Sequence, residues 1–208
     1  MNTLLKVSQI TAPLSEERER ELLKDAQSYI YQSEDGFELV AQCFYPENSD
    51  PSELKPAIVF FHGGLWDVSM VTQFAPHCMH FANRGMVSVV VEYRVSSKHE
   101  STPEDAFEDA QMAMLWLKHN HEALGVDPNR IIAAGAASGA HMALSLAMRP
   151  EVIEIDSFSA RPLGAIALSA IVDTTKKGIE FERFRDPKQA TKLSPSKLVR
   201  RGLCPMLI

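Results

Sequence analysis

Apolar residues in this chain gather into short unbroken runs separated by longer amphipathic stretches. Ala57 to Phe61 (AIVFF) and Val87 to Tyr93 (VSVVVEY) are runs of strand length, the pattern of a strand covered on both faces. Between them Thr72 to Arg84 reads as a helix stopped by Gly85, so strand, helix and strand form a parallel crossover unit. The theme repeats: Pro103 to His119 carries Phe107, Ala110, Met114 and Leu117 on one side of a helix, Arg130 to Ala134 is the next strand and Ser138 to Met148 the next helix. Gly164 to Leu168 (GAIAL) offers a further strand, and Pro205 to Ile208 (PMLI) is expected to lie beside it. Such alternation predicts an α/β fold with a mostly parallel, doubly wound sheet and helices on both faces.

Ahead of the first buried strand the rhythm changes. Tyr29 to Tyr45 alternates apolar and polar residues around Glu34-Asp35-Gly36, the signature of an antiparallel hairpin at a sheet edge. Leu14 to Asp25 is charge-rich with few apolar anchors and predicts a solvated helix, while Pro46 to Pro56 is a polar, proline-bounded loop. The organisation expected is an N-terminal arm over residues 1–28 and one domain over 29–208. A chain of 208 residues with 45% hydrophobic composition suffices for one core. The net charge of -6, with Lys and Arg scattered among Asp and Glu, supplies no basic stripe for nucleic acid and no polybasic patch for a membrane. No signal-like or membrane-spanning apolar run opens the chain, so a cytoplasmic location is the default expectation. Cys43, Cys78 and Cys204 stand far apart among apolar neighbours and are expected as free thiols.

Candidate chemistry concentrates in Gly135-Ala136-Ala137-Ser138-Gly139-Ala140-His141. Its glycines have the spacing of a nucleophile elbow, G-x-S-x-G, where a sharp strand-to-helix turn leaves no room for side chains beside the nucleophile. Ala137 stands at the nucleophile position, and a methyl group forms no covalent intermediate. A register one residue later makes Ser138 the alternative nucleophile but puts Ala136 and Ala140 where the turn prefers glycine. In the favoured register the Ser138 amide helps form an oxyanion hole with amides of Gly63, Gly64 and Leu65, from His62-Gly63-Gly64-Leu65-Trp66 at the end of a strand. His62, Trp66 and His141 are the expected pocket residues, His141 as a packed histidine rather than a base. His77 and His80 share a helix face without a third ligand nearby in sequence, so no metal site is expected.

The succession HGGLW, Glu92-Tyr93-Arg94, Asp109 in a helix ending near Trp116, and Asp127-Pro128-Asn129-Arg130 before the elbow strand resembles the acetyl-esterase and feruloyl-esterase-like branch of the α/β-hydrolase fold, close to the hormone-sensitive-lipase-like enzymes. The resemblance runs from Tyr45 to Ile208. The family elbow is usually G-x-S-A-G-G-H, and aligning Gly135, Gly139 and His141 places Ala137 at the serine. The resemblance implies hydrolysis of a small acyl or sugar ester by serine, histidine and an acid, no metal or organic cofactor, and a scaffold pair between Arg94 and Asp109. It further implies that the PMLI strand leads into an H-G-x-x-D stretch, whereas no histidine follows His141 and Asp173 and Asp186 suit loop or cap roles. The expectation is therefore an α/β-hydrolase chain incomplete at its C-terminus, or else a natural short relative, and inactive as written. A pseudoenzyme binding module that keeps the pocket and oxyanion loop is the alternative. A prolyl-oligopeptidase-type peptidase ranks third, since no propeller is present. An apolar strand at Pro205 to Ile208 is also expected to expose a sheet edge open to association.

Overall fold

The computed structural model describes residues 16–34, 36–47 and 53–208. Most of the expected arm, Leu14 and Ser15 of the expected first helix, Asp35 of the expected turn and residues 48–52 of the polar loop lie outside the described residues.

A seven-stranded sheet organises the chain, built from β1 (Gln27–Glu34), β2 (Phe37–Phe44), β3 (Lys55–Phe61), β4 (Val87–Val91), β5 (Val126–Ala136), β8 (Gly164–Leu168) and β9 (Met206–Leu207) in the order β1-β2-β4-β3-β5-β8-β9. The first two strands form the expected antiparallel edge hairpin, and β2 pairs antiparallel with β4. From β4 onward every neighbour is parallel. The continuous apolar runs have the burial they require: every residue of β4, and Ala57 to Phe61 of β3, is buried.

Side-chain alternation along β3 splits the core in two. Ala57, Val59 and Phe61 face α3 (Pro103–His119) and α4 (Ser138–Met148), whereas Ile58 and Phe60 pack with Phe74, Ala75 and Cys78 around α2 (Ala75–Ala82), which α1 (Glu16–Leu23) flanks through Leu22 and Leu23. α3 begins at a capping box, in which the Asp105 carboxylate accepts the Thr102 amide at 2.8 Å. The helix expected over Thr72 to Arg84 is shorter than its pattern. Pro76 lacks the N–H that would extend α2 backward, and Val71–Phe74 form a 3-10 turn instead. β5 is longer than the expected Arg130 to Ala134, because Val126 already pairs with Lys55 before a register shift next to an Asp127 turn. A two-residue hairpin, β6 (Glu154–Ile155) with β7 (Phe158–Ser159), stands apart from the main sheet.

β9 pairs with β8 as expected, Met206 opposite Ala165 and Leu207 opposite Ile166. One face of this pair is closed by Ala140, Leu144 and Ala147 of α4. On the other face Ile132, Ile166 and Leu207 line an apolar groove of about 350 Å³.

Candidate active site

Ala137 sits alone between the end of β5 and the start of α4, with φ 49° and ψ −112°. This backbone region is nearly reserved for glycine and costs about 1–3 kcal/mol for another residue, so the surroundings must hold it. They do so through both backbone groups: the Ala137 amide donates to Leu168 O at 3.0 Å, and its carbonyl accepts from His141 N at 3.0 Å and Ile171 N at 3.4 Å. The flanking glycines are obligatory for space. A Cβ on Gly139 would lie 2.0 Å from Phe61 O and 2.4 Å from His62 O, and one on Gly135 would lie 2.4 Å from the Gly139 carbonyl carbon. Ala137 is partly exposed. Ser138 is fully buried beside Tyr93, so the register that makes it the nucleophile is at odds with the structure: its hydroxyl faces the interior because the first turn of α4 rolls it beneath the strand ends.

The His62–Trp66 loop lies directly on this elbow. Tyr93 Oη donates to His62 O at 2.8 Å, and Gly64 O accepts the amides of Asp67 and Val68 at 2.9 and 3.1 Å. Asp67 is anchored in turn by the Ser96 hydroxyl at 2.6 Å. Gly64 has φ 113°, and a Cβ there would fall 2.3 Å from Val68 O, so the turn needs glycine. Of the expected oxyanion donors, Gly63 is excluded: its N–H is already donated to Gln73 Oε1 at 2.7 Å. The Gly64 and Leu65 amides make no hydrogen bond among the described residues, and the Ser138 amide, first in α4, has no intrahelical acceptor. Sequence patterns offered no sign of Gln73. A single glutamine in a short turn carries no motif, and its role arises from a tertiary contact.

The expected pocket residues are sealed instead of lining open space. His62 and His141 are 0% exposed and Trp66 is 1% exposed. His62 stacks on Tyr93 at 4.1 Å and donates Nδ1–H to Gly63 O at 2.6 Å. Trp66 meets His141 edge to face at 5.1 Å, and both contact Phe184, so aromatic rings pack around them. Burial drives the His62 imidazole down to about 4, against its bond to the Gly63 carbonyl. It drives His141 down to about 3; neither ring nitrogen makes a well-formed hydrogen bond among the described residues, and the nearby Leu193 carbonyl opposes the fall only in part. Both rings are neutral at pH 7.

Much of what faces solvent at the elbow is apolar, with Ser169 an exposed polar neighbour. Leu65, Val68, Met70, Leu168 and Val172, from the loop, the turn after it and the segment of residues 168–172 bonded to Ala137, are 38–46% exposed. Leu168 ends β8, and Val172 comes from the segment after it, which no motif marked. Arg94 and Asp109 pair as expected, with Nη2 to Oδ1 at 2.7 Å, Nε to Oδ1 at 3.0 Å and the Arg94 amide to Oδ2 at 2.8 Å. Arg94 also lies over the Phe37 ring at 4.9 Å, tying the end of β4 to α3 and β2. Asp173 Oδ1 accepts the Thr175 amide at 2.9 Å within its loop, and Asp186 caps a helical turn through the Lys188 amide at 2.9 Å. Cys43, Cys78 and Cys204 are free thiols. Among the described residues no group of three or more His, Cys, Asp or Glu is gathered for a metal ion, and no helix is long and apolar enough to cross a membrane.

Comparison with known proteins points to the same fold. Esterase 2 of Thermogutta terrifontis in a propionate-bound form superposes with a TM-score of 0.81 at 31% identity, over 88% of this chain and 71% of that one. Among curated relatives, isoprenylcysteine alpha-carbonyl methylesterase ICME of Arabidopsis thaliana is 33% identical over 100 residues, 48% of this chain and 22% of its own. Ethyl acetate hydrolase of Pseudomonas putida is 30% identical over 114 residues, 54% of this chain and 35% of its own. The matched stretch thus spans about a fifth to a third of these two relatives. Residues 42–190 match the BD-FAE family. The chain belongs to that family and carries the α/β-hydrolase fold of its esterase branch.

Proposed function

We propose that the elbow is a carboxylic-ester site disabled at its nucleophile, so that the chain as written does not hydrolyse esters. The observation that carries this reading is Ala137 itself: a strained tip residue, fixed by three backbone hydrogen bonds and two glycines, with a methyl group where the attacking hydroxyl belongs. In serine-dependent hydrolysis the hydroxyl oxygen attacks the ester carbonyl carbon, the carbonyl oxygen becomes an oxyanion, and a histidine passes the abstracted proton to the departing alcohol. Here no oxygen is present to attack. His62 and His141, the histidines nearest the elbow in the fold, are sealed and hold no solvent-accessible nitrogen for the proton. Loss of the nucleophile alone costs about a million-fold in turnover in serine hydrolases.

The Gly64, Leu65 and Ser138 amides support a second reading, a binding module that receives a carbonyl or carboxylate oxygen without turning it over. The apolar rim of Leu65, Val68, Leu168 and Val172 suits a short aliphatic acyl group. That propionate and butyrate occupy forms of the Thermogutta esterase points the same way. The test measures hydrolysis of p-nitrophenyl butyrate and labelling by a fluorophosphonate, alongside butyrate titration followed at the backbone amides. Neither turnover nor labelling is expected. Saturable hydrolysis with a label on Ser138 would overturn the first reading, and absence of shifts at Gly64, Leu65 and Ser138 would remove the second.

A further inference from the structure

Away from the elbow, a cleft of about 350 Å³ opens between α3, the C-terminal end of α4 and the segment after Phe184, lined by Glu104, Phe107, Arg149, Arg185, Gln189 and Leu193. Its volume is that of a small-ligand site. Asp186 lines it too, its carboxylate capping a helical turn through the Lys188 amide at 2.9 Å, whereas Glu104 and Arg149 each keep an unused group. Glu104 Oε1 accepts the Asp186 amide at 3.1 Å, but Oε2 is buried and has no hydrogen-bond partner among the described residues. The Arg149 guanidinium lies over the Phe107 ring at 5.4 Å and forms no ion pair among the described residues, Glu151 being near enough only to favour its charge. Arg185 is already committed to Asp105, at 2.7 Å.

A buried acceptor and a half-buried cation that share one cleft without reaching each other define the complement they need. One end must donate to Glu104 and the other must offer an anion to Arg149. Arginine is the side chain best shaped to receive a carboxylate in a bidentate fork. Phe107 and Leu193 leave an apolar surface between, fit for a short aliphatic body. We propose that this cleft binds a small zwitterion, an amino-carboxylate whose ammonium group donates to Glu104 Oε2 and whose carboxylate pairs with Arg149. The site is separate from the elbow and does not depend on ester chemistry.

The experiment titrates the protein with γ-aminobutyrate, and with n-butylamine and butyrate as half-ligands, following side-chain resonances of Arg149 and Gln189 by NMR. The zwitterion is expected to saturate these shifts, with each half-ligand weaker by about tenfold or more, since each end forfeits a charge-assisted hydrogen bond. Glu104→Gln and Arg149→Lys each preserve size and are expected to weaken γ-aminobutyrate by about tenfold while leaving the thermal unfolding midpoint within a few degrees. No saturable shift in the wild-type chain, equal binding of butyrate and γ-aminobutyrate, or unchanged affinity in both folded variants would each overturn the proposal. Shifts confined to Gly64, Leu65 and Ser138 would assign the ligand to the elbow and refute this cleft.

Discussion

At the upper end of β5 the backbone is packed until no atom can be added, whereas two strands away, along β8 and β9, the same sheet ends in a two-residue strand with one bare face. The elbow tolerates positive φ at Ala137 because Phe61, Gly135, Gly139 and Leu168 hold it from every side. At the other end Leu163, Leu207 and Ile208 are 55%, 65% and 77% exposed. Strain persists only where neighbours over-determine the backbone, and an edge with few neighbours stores none. Interior substitutions at the two places should therefore differ in size, and in one case in sign.

The largest effect is expected from Gly139→Ala. A Cβ placed 2.0 Å from Phe61 O meets backbone that cannot retreat without moving β3, so destabilisation above about 3 kcal/mol, or failure to fold, is expected in chemical denaturation. Wild-type stability would show that the elbow is far looser than its geometry.

Acid should invert the comparison, loosening the tight end first. The folded-state values of His62 and His141, about 4 and about 3, lie below the ordinary 6.5, so the unfolded chain binds the additional protons as pH falls. Stability contributed by the neutral rings is complete above about pH 7 and is lost progressively between 6.5 and those values. For His62 the full loss is roughly 3 kcal/mol. The His141→Leu variant, which removes two unpartnered ring nitrogens, should lose less stability between pH 7 and pH 5 than the wild-type chain; an equal slope in urea titrations at the two pH values would refute the assignment.

A smaller change, of unusual sign, is expected at the tip. Ala137→Gly relieves a positive φ and should stabilise the fold by about 1 kcal/mol, although glycine ordinarily destabilises. A lowered unfolding midpoint would mean that the tip is not strained. The smallest effect belongs to the edge: Leu207→Lys should change stability by less than about 0.5 kcal/mol while reducing any self-association seen in sedimentation velocity. An unchanged association profile would place the contact elsewhere.

How much of this was legible in the chain depended on whether the deciding interaction was local. The limits of α3 and α4, Pro103–His119 and Ser138–Met148, agree with the pattern residue for residue, because a capping box and the elbow glycines fix their starts. The buried strands were equally plain, since two-sided burial writes itself as unbroken apolar runs. The β6–β7 hairpin left no mark because its turn uses Asp156 and Ser157 at positive φ without glycine. At the site, the elbow glycines Gly135 and Gly139 were readable from their spacing, and Ala137 from aligning them, with His141, on the resembling family's elbow. The capture of the Gly63 amide by Gln73 and the sealing of Trp66 under Phe184 were not, for each joins residues far apart in sequence.

One feature of α4 bears on time rather than on energy. All eleven of its residues are buried, enclosed by the sheet on one side and by the segment reaching Leu193 and Ser194 on the other. A helix with no solvent face cannot fray in the ordinary way, and its amides can meet water only when a large part of the molecule opens. Deuterium uptake in His141 to Met148, the amides bonded within the helix, thus becomes a clock for global opening, whereas uptake along β9 records only the flicker of an edge.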